Sequence, residues 1–351
     1  MATLVKTIGT ASRDYSTIQA WEDDLDDGTN AANDATAYSS TDIAQGDCYN
    51  DSAFDETVVF NGGGTVGLNQ ALLTVPSAER HDGTEGTGVR NVRTATNTTI
   101  FDVAVLFDIE WIEIDANGNN AVYCVYWNYN STTRRFLANC IIHGVTQTTS
   151  SIIYGIRNNL ASPIFRNLVV YDINQTTNAQ CYGIRASVGA ARDEDVINCT
   201  VHDVNSTQGA SVIGIEYADH ADNAVQNCIV TDSVGTGSDF DYFPSTNVNA
   251  TVSHNLSSDT TSTGTGSLAS KTAANQFVST TGGSEDLHLK SGADAIDAGT
   301  DLGTTPAGVE IDIDGRDRDA EGDTWDIGAH EFVAPPWFYL RKRTDYSLIG
   351  R

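Results

Sequence analysis

Histidine, tyrosine and aspartate residues recur in this chain at regular intervals that would stack them in a repetitive fold. One column holds His143, Tyr171, His202 and Thr231, which lie 28, 31 and 29 residues apart. The residues that follow form a second column, which we extend backwards by one repeat: Asp115, Gly144, Asp172, Asp203 and Asp232. Stacked carboxylates repel one another, and this repulsion raises a pKa or recruits a cation.

Three kinds of chemistry would suit these columns. Carboxylate oxygens are ligands for Ca²⁺. An imidazole and a neighbouring carboxylate could form a general acid–base pair that acts on a glycan. An aspartate could also cap a turn through its own backbone. The sequence predicts an outward glycan- or cation-binding strip with these members: His143, Tyr171, Asp172, His202, Asp203 and Asp232. If the strip is catalytic, the candidate residues are Asp172, His202, Asp203 and Asp232.

A further acidic run lies near the C-terminus and contains Asp312, Asp314, Asp317 and Asp319. Its spacing resembles half of a calcium loop, although the glutamate that completes an EF-hand loop is absent. We favour the interpretation as a closing turn with a purely structural role. We therefore predict no cofactor, with calcium as the alternative.

Short β-strands are the elements that would position these residues. Segments around Asn139, Asn167, Asn198 and Asn227 can be superimposed, and their asparagines have the same spacings of 28, 31 and 29 residues. A Tyr-Gly-Ile motif at residues 154–156 and 182–184 repeats with them. Self-similarity at this period indicates a solenoid, and β-type runs without helical periodicity predict an all-β, right-handed parallel β-helix. Stacked asparagine amides would hydrogen-bond along its axis as a structural ladder, and the cysteines of the repeats would be buried.

Changes in pattern along the chain predict four regions. Residues 1–27 form an N-terminal cap, in which Ser16 and Gln19 constitute a capping box for a short helix that buries Ile18 and Trp21. Residues 28–265 form the β-helix coils, and residues 266–332 form C-terminal coils and a closing segment. Residues 333–351 form a tail outside the coils. Solenoids need such caps because a terminal repeat would otherwise expose its core.

The tail combines aromatic and basic residues in a chain that is otherwise acidic. We predict that it docks to a neighbouring copy or to another partner through Trp337, Phe338, Tyr339, Arg341, Lys342 and Arg343. An acidic flank of a second copy would complement its charge. The alternative is a final strand that folds back on the last coil.

Charge and hydropathy exclude several classes of function. The formal net charge is −28, with 47 acidic and 19 basic residues, which argues against a nucleic-acid partner because phosphate binding needs clustered lysine and arginine. No apolar run is long enough for a membrane-spanning helix. The first residues lack the apolar stretch of a signal peptide, so we expect release by lysis or removal of a leader.

A resemblance to a known superfamily adds to this interpretation. The segment Thr17-Ile18-Gln19-Ala20 and the C-terminal runs at residues 291–299, 312–318 and 326–332 are similar to the ends of right-handed parallel β-helix proteins of the pectin-lyase-like superfamily. The resemblance implies the fold, whereas the superfamily includes lyases, hydrolases, phage tailspikes and adhesins. The Gly-His-Gly and Arg-Ile-Lys signatures of its galacturonan hydrolases are absent here.

Together these features predict a non-catalytic structural or adhesive protein of an extracellular assembly. A phage virion appendage or decoration protein is the form that we favour, located on the virion surface or outside the cell. We expect a homo-oligomer or a larger assembly, with surface glycans as a second class of partner. The alternatives are a polysaccharide lyase or glycoside hydrolase, and a secreted adhesin or filament subunit.

Overall fold

The computed structural model describes residues 2–25, 40–63, 68–96, 99–186, 193–218, 222–244, 249–321 and 324–334. Within these ranges the chain winds as a parallel β-solenoid of about 7 turns, so the predicted all-β parallel β-helix is confirmed. The elements in chain order are β1 (Thr3–Ile8), α1 (Ile18–Asp24), β2 (Ile43–Cys48), β3 (Val58–Phe60), β4 (Gln70–Thr74), β5 (Arg90–Val92), β6 (Thr99–Val103), β7 (Asp108–Glu110), β8 (Glu113–Asp115), β9 (Tyr123–Ala138), β10 (Ile141–Gln147), β11 (Ile153–Arg166), β12 (Val169–Gln175), β13 (Cys181–Arg185), β14 (Asp195–Ile197), β15 (Thr200–Ser206), β16 (Val212–Tyr217), β17 (Ala224–Gln226), β18 (Ile229–Val234), β19 (Asp239–Pro244), β20 (Thr251–Ser253), β21 (Leu256–Ser257), α2 (Ala273–Gln276), β22 (Phe277–Thr281), β23 (Ser284–Leu289) and α3 (Arg318–Glu321).

Each regular coil contributes one strand to each of three parallel faces. The first face has the order β21-β18-β15-β12-β10-β8-β5. The second runs from β3 through β6, β9, β11, β13 and β16 to β19, and the third runs from β1 through β2, β4, β7, β9, β11, β14 and β17 to β20. The long strands β9 and β11 belong to both the second and the third faces because they bend around the corner between them.

Aligned apolar side chains fill the interior of the coils. On the first face, Ile142, Val170, Val201 and Val230 are paired in register and are buried. The six cysteines, at positions 48, 124, 140, 181, 199 and 228, are likewise buried and unpaired. Because every coil repeats the same inward positions, the core continues along the axis instead of closing around a centre.

The asparagines of the repeat occupy the corner between the third and the first faces. Asn139, Asn167, Asn198 and Asn227 have φ between 50° and 54°, a left-handed conformation that asparagine tolerates better than most residues. The amide ladder is only partial in the described residues, since Asn167 Nδ2 donates to Asn139 Oδ1 at 3.0 Å while Asn198 and Asn227 bond to other backbone groups.

The corner is shifted by one residue at both ends of this series. Trp111 and His254 have the left-handed φ values of 65° and 52°, whereas extending the repeat by 29 residues before Asn139 and by 28 after Asn227 predicts Glu110 and Asn255 there. The strand registers require these positions, because Glu113 pairs with Ile141 and Leu256 pairs with Ile229. The same shift removes Asp115 from the predicted aspartate column and pairs it with His143.

Helix α1 covers the first coil, as predicted, and buries Ile18 and Trp21 completely. The predicted capping residue was wrong: Thr17 is the N-cap, and its side chain accepts a hydrogen bond from Ala20 N at 3.1 Å. The Glu56 carboxylate accepts the Ile18 and Gln19 amides at 2.8 and 2.9 Å. The first backbone amides of a helix have no partner within the helix, and this carboxylate accepts their hydrogen bonds in place of a capping box.

The described residues of 266–334, here called the closing segment, pack on the outside of the first face. They contain α2, the antiparallel pair β22–β23 and α3, and they add no named strand to the three parallel faces. Phe277, Leu287 and Ile327 form a second apolar cluster with outward side chains of the first face, including Ile141 and Val169. Strands of the first face are therefore buried on both sides, as parallel strands usually are.

Candidate functional site

The strand registers bring the predicted histidine–tyrosine column together. His143 pairs with Tyr171, Tyr171 with His202, and His202 with Thr231. The rings of His143 and Tyr171 stack with centroids 4.9 Å apart and an interplanar angle of 2°. Parallel pairing without a register shift produces this stacking, because side chains at equivalent positions are then one strand spacing apart.

This column lies outside the coils but is covered by the protein's own chain. His143, Tyr171 and His202 are 7%, 3% and 3% exposed. The Phe277 ring of β22 packs edge-on against His202 at 5.8 Å, and Tyr171 Oη donates to Glu85 Oε2 at 2.6 Å. Only a rearrangement of these covering residues would expose the column to a glycan.

The covering loop at residues 81–88 is anchored by a buried histidine. His81 Nε2 lies 2.9 Å from Asn139 O, and this carbonyl can only accept, so Nε2 carries the proton. His81 Nδ1 then accepts the Gly83 amide at 3.3 Å. Burial lowers the pKa of His81 to about 4, which keeps the imidazole neutral in this role. The loop thus places Glu85 over the first face.

The aspartates of the second column lie inside strands and not in turns. Asp172, Asp203 and Asp232 have left-handed φ values of 54°, 54° and 57° and interrupt the extended backbone of β12, β15 and β18. Asp172 and Asp203 each accept a hydrogen bond from the side chain of the asparagine two residues later, Asn174 and Asn205. Burial, reinforced by the charges of Asp203 and Glu285, raises the pKa of Asp172.

Three carboxylates converge on His143 and form a charge cluster on this face. His143 Nε2 is 3.1 Å from Glu113 Oε1, and Nδ1 is 3.6 Å from Glu85 Oε2 and 3.9 Å from Asp115 Oδ1. Burial alone would lower the pKa of His143, but these carboxylates outweigh it and raise the pKa above its ordinary value. The arrangement is that of an imidazolium held by surrounding anions.

Sequence reasoning missed Glu85 and Glu113 as members of this cluster. Glu113 lies two residues before Asp115 on the same side of β8. Because the sequence alignment was off by one residue in this coil, it did not place Glu113 beside His143. Glu85 belongs to a turn-rich loop without periodicity, so its sequence carries no signal for where its side chain lies.

The four aspartates of the acidic run have different roles: three accept hydrogen bonds within the closing segment, and one lies beside two histidines. Asp312 accepts the amides of Asp314, Arg316 and Glu331 at 2.9, 2.7 and 2.9 Å, while Asp317 accepts the Asp319 amide at 3.0 Å and Asp319 accepts Trp325 Nε1 at 2.7 Å. Asp314 alone of the four joins a histidine cluster, with His288 and His330. The calcium-like spacing therefore serves mainly to fix a turn.

The predicted docking residues of the tail lie outside the described residues: Trp337, Phe338, Tyr339, Arg341, Lys342 and Arg343. Among the described residues, no helix combines the length and apolar character required to cross a membrane.

Comparisons with protein-family models, with curated proteins and with solved structures found no match to this chain. The fold and the local chemistry therefore carry the functional argument.

Proposed function

We propose that this protein is a non-catalytic structural or adhesive component of an extracellular assembly, with a phage virion appendage or decoration protein as the specific form. The observation that carries the proposal is the cover over the histidine–tyrosine column. His143, Tyr171 and His202 are at most 7% exposed beneath Glu85 and Phe277. Side chains that a polysaccharide-cleaving enzyme would present to its substrate are used here for internal contacts.

The solenoid architecture supports a mechanical role. An axial core of interlocking coils gives a rigid rod, and the closing segment ties several coils together by bonding to their corners. Asn227 bonds to Thr300, Asn198 to Val309 and Asn167 to Ile311, so successive residues of the closing segment reach progressively earlier coils. A rod braced in this way would transmit load without opening.

The same architecture supports kinship with the pectin-lyase-like superfamily. Three parallel faces, a helix across the first coil and a closing segment with its Asp312–Arg318 turn agree with the resemblance of the sequence. Kinship of this kind would leave the activity open, because sites differ widely among proteins of one fold.

We further propose that the tail docks to a neighbouring copy and that the assembly is located outside the cell or on a virion. The strong negative charge of the chain, −28, supports a basic segment as the complementary element. Self-association would then depend on Arg341, Lys342 and Arg343 and would weaken with salt, since exposed charges are screened.

Light scattering tests this proposal on the full chain at several protein and salt concentrations. A variant with Arg341, Lys342 and Arg343 changed to glutamate should reduce the solution mass to that of a monomer. The control changes Arg13 to glutamine, because this basic residue lies near β1 and pairs with Asp51. A full chain that is monomeric in all conditions would refute docking between copies.

A polysaccharide-active enzyme is the second candidate, and one observation favours it. Burial, together with the charge of Asp203, raises the pKa of Asp172, and a general acid paired with a second carboxylate has this property. A panel of acidic glycans should then be depolymerised by the wild type and not by the Asp172→Asn or Asp203→Asn variants. Asp301→Asn, in an exposed turn, is the control. Binding without cleavage would instead favour the adhesin alternative.

A further inference from the structure

Three side chains of the closing segment converge on one point. Asp314 Oδ1 lies 3.2 Å from His288 Nε2 and 3.0 Å from His330 Nδ1, and the three potential ligand atoms all lie within 4.8 Å of one another. A zinc-like ion bound tetrahedrally at ~2.0–2.2 Å by nitrogen and oxygen separates its ligand atoms by roughly 3.3–3.6 Å. The two distances to Asp314 Oδ1 are therefore close to the spacing that such an ion needs.

The hydrogen bonds around the cluster resemble those that orient metal ligands. His288 Nδ1 lies 2.6 Å from Asp286 Oδ1, an arrangement in which a carboxylate fixes the ring and directs Nε2 towards the metal. Arg316 Nη1 donates to Asp314 Oδ2 at 2.6 Å and leaves Oδ1 directed at the two imidazoles. The Asp82 carbonyl lies 3.2 Å from His288 Nε2 and is a potential additional oxygen donor.

Burial and access are those of a site with one open side. His330 is 1% exposed and the Asp314 side chain 2%, whereas the His288 side chain is 23% exposed. A pocket of about 180 Å³ is lined by His288, Arg316 and Phe332 among others. This pocket adjoins the cluster at His288, its most exposed member.

We propose that His288, Asp314 and His330 bind a divalent transition-metal ion, with Zn²⁺ as the reference ion. Two imidazole nitrogens and one carboxylate favour zinc or a neighbouring first-row ion over calcium or magnesium, which prefer oxygen ligands. The ion fastens strand β23 to the turn at Asp314 and to the segment around His330. The covering loop lies against this site, because a Cβ at Gly83 would lie 2.2 Å from Asp314 Oδ1.

Titration of the chelator-treated full chain with ZnCl₂ against a chromophoric zinc chelator tests the proposal. The wild type should bind one ion per chain, and Co²⁺ in its place should give the visible absorption of nitrogen and oxygen coordination. His288→Gln should weaken binding at least 100-fold. Asp286→Asn should weaken it about 10- to 100-fold, as loss of an outer-shell partner does.

The control is Asp115→Asn, which alters the other carboxylate–histidine cluster and should leave zinc affinity unchanged. Circular dichroism verifies the fold of each variant, and Asp286→Asn keeps the test decisive if His288→Gln fails to fold. A chelator-treated wild type that takes up no stoichiometric zinc would overturn the proposal. Binding that Asp115→Asn removes and His288→Gln spares would overturn it as well.

Discussion

Replacement of Asn227 should loosen the closing segment from the coils. The Asn227 side chain forms two hydrogen bonds with one residue of the closing segment: Oδ1 accepts the Thr300 amide at 2.9 Å, and Nδ2 donates to the Thr300 carbonyl at 2.9 Å. The residue is fully buried and has φ of 54°. Hydrogen bonding and backbone conformation can therefore be separated by choosing two substitutions.

The glycine variant removes both hydrogen bonds but keeps the left-handed backbone without strain. At ~0.5–1.5 kcal/mol for each bond, Asn227→Gly should lower the free energy of unfolding by about 1–3 kcal/mol. Asn227→Ala loses the same bonds and keeps a Cβ in the left-handed region without the polar side chain that lets asparagine tolerate it, which costs about 1–2 kcal/mol relative to glycine. We expect the alanine variant to be the less stable of the two by about that amount.

Urea unfolding followed by circular dichroism measures these differences, and limited proteolysis reports whether the closing segment detaches first. Asn117 is the matched control, because it has φ of 50° but an exposed side chain. Asn117→Gly should be nearly neutral. Asn117→Ala should be less stable than Asn117→Gly by only the cost of alanine in the left-handed region. An Asn227→Gly variant as stable as the wild type would refute the idea that this pair of bonds holds the segment.

Three further predictions concern the coils themselves. Gly183→Ala should destabilise the protein by about 1–3 kcal/mol, because the new Cβ would lie 2.6 Å from Val201 Cγ1 and 2.7 Å from Gly214 O. Gly282→Ala is the control, because a Cβ at Gly282 would have open space around it. Equal urea midpoints for the two variants would contradict the prediction. Burial raises the pKa of Asp108 to about 6 despite Arg135 nearby, so between about pH 4 and 6 the native state holds a proton that the unfolded state releases. The free energy of unfolding should therefore fall by up to roughly 3 kcal/mol as the pH rises through this range. Asp108→Asn should flatten this pH dependence of the urea midpoint, and parallel profiles of the variant and the wild type would count against the prediction. The six cysteine thiols should resist a thiol reagent in the native protein and react on unfolding. All six are buried, and burial raises the pKa of Cys140 to about 12. Rapid reaction of the native protein with the reagent would disprove this prediction.

The repeating part of the protein could be predicted from the sequence because each coil contacts its neighbours through equivalent positions. The spacing of Asn139, Asn167, Asn198 and Asn227 indicated the coils, and all four occupy the same corner. Burial of Cys140, Cys199 and Cys228 followed from their place in the same alignment. The alignment failed by one residue at Trp111, where tryptophan occupies a corner that the motif assigns to asparagine.

The surroundings of the candidate sites were decided by the tertiary structure alone. The outward column appeared open from its sequence, yet loop 81–88 and the closing segment cover it through contacts such as that of Glu85 with Tyr171. His288, Asp314 and His330 meet because the closing segment folds back on itself and on the first face. These segments do not repeat, so their path depends on which apolar surface they bury, and no local pattern of residues encodes that choice. The repeat spacing specifies the coils and their corners, whereas the fold-back of a non-repetitive segment specifies which polar groups meet.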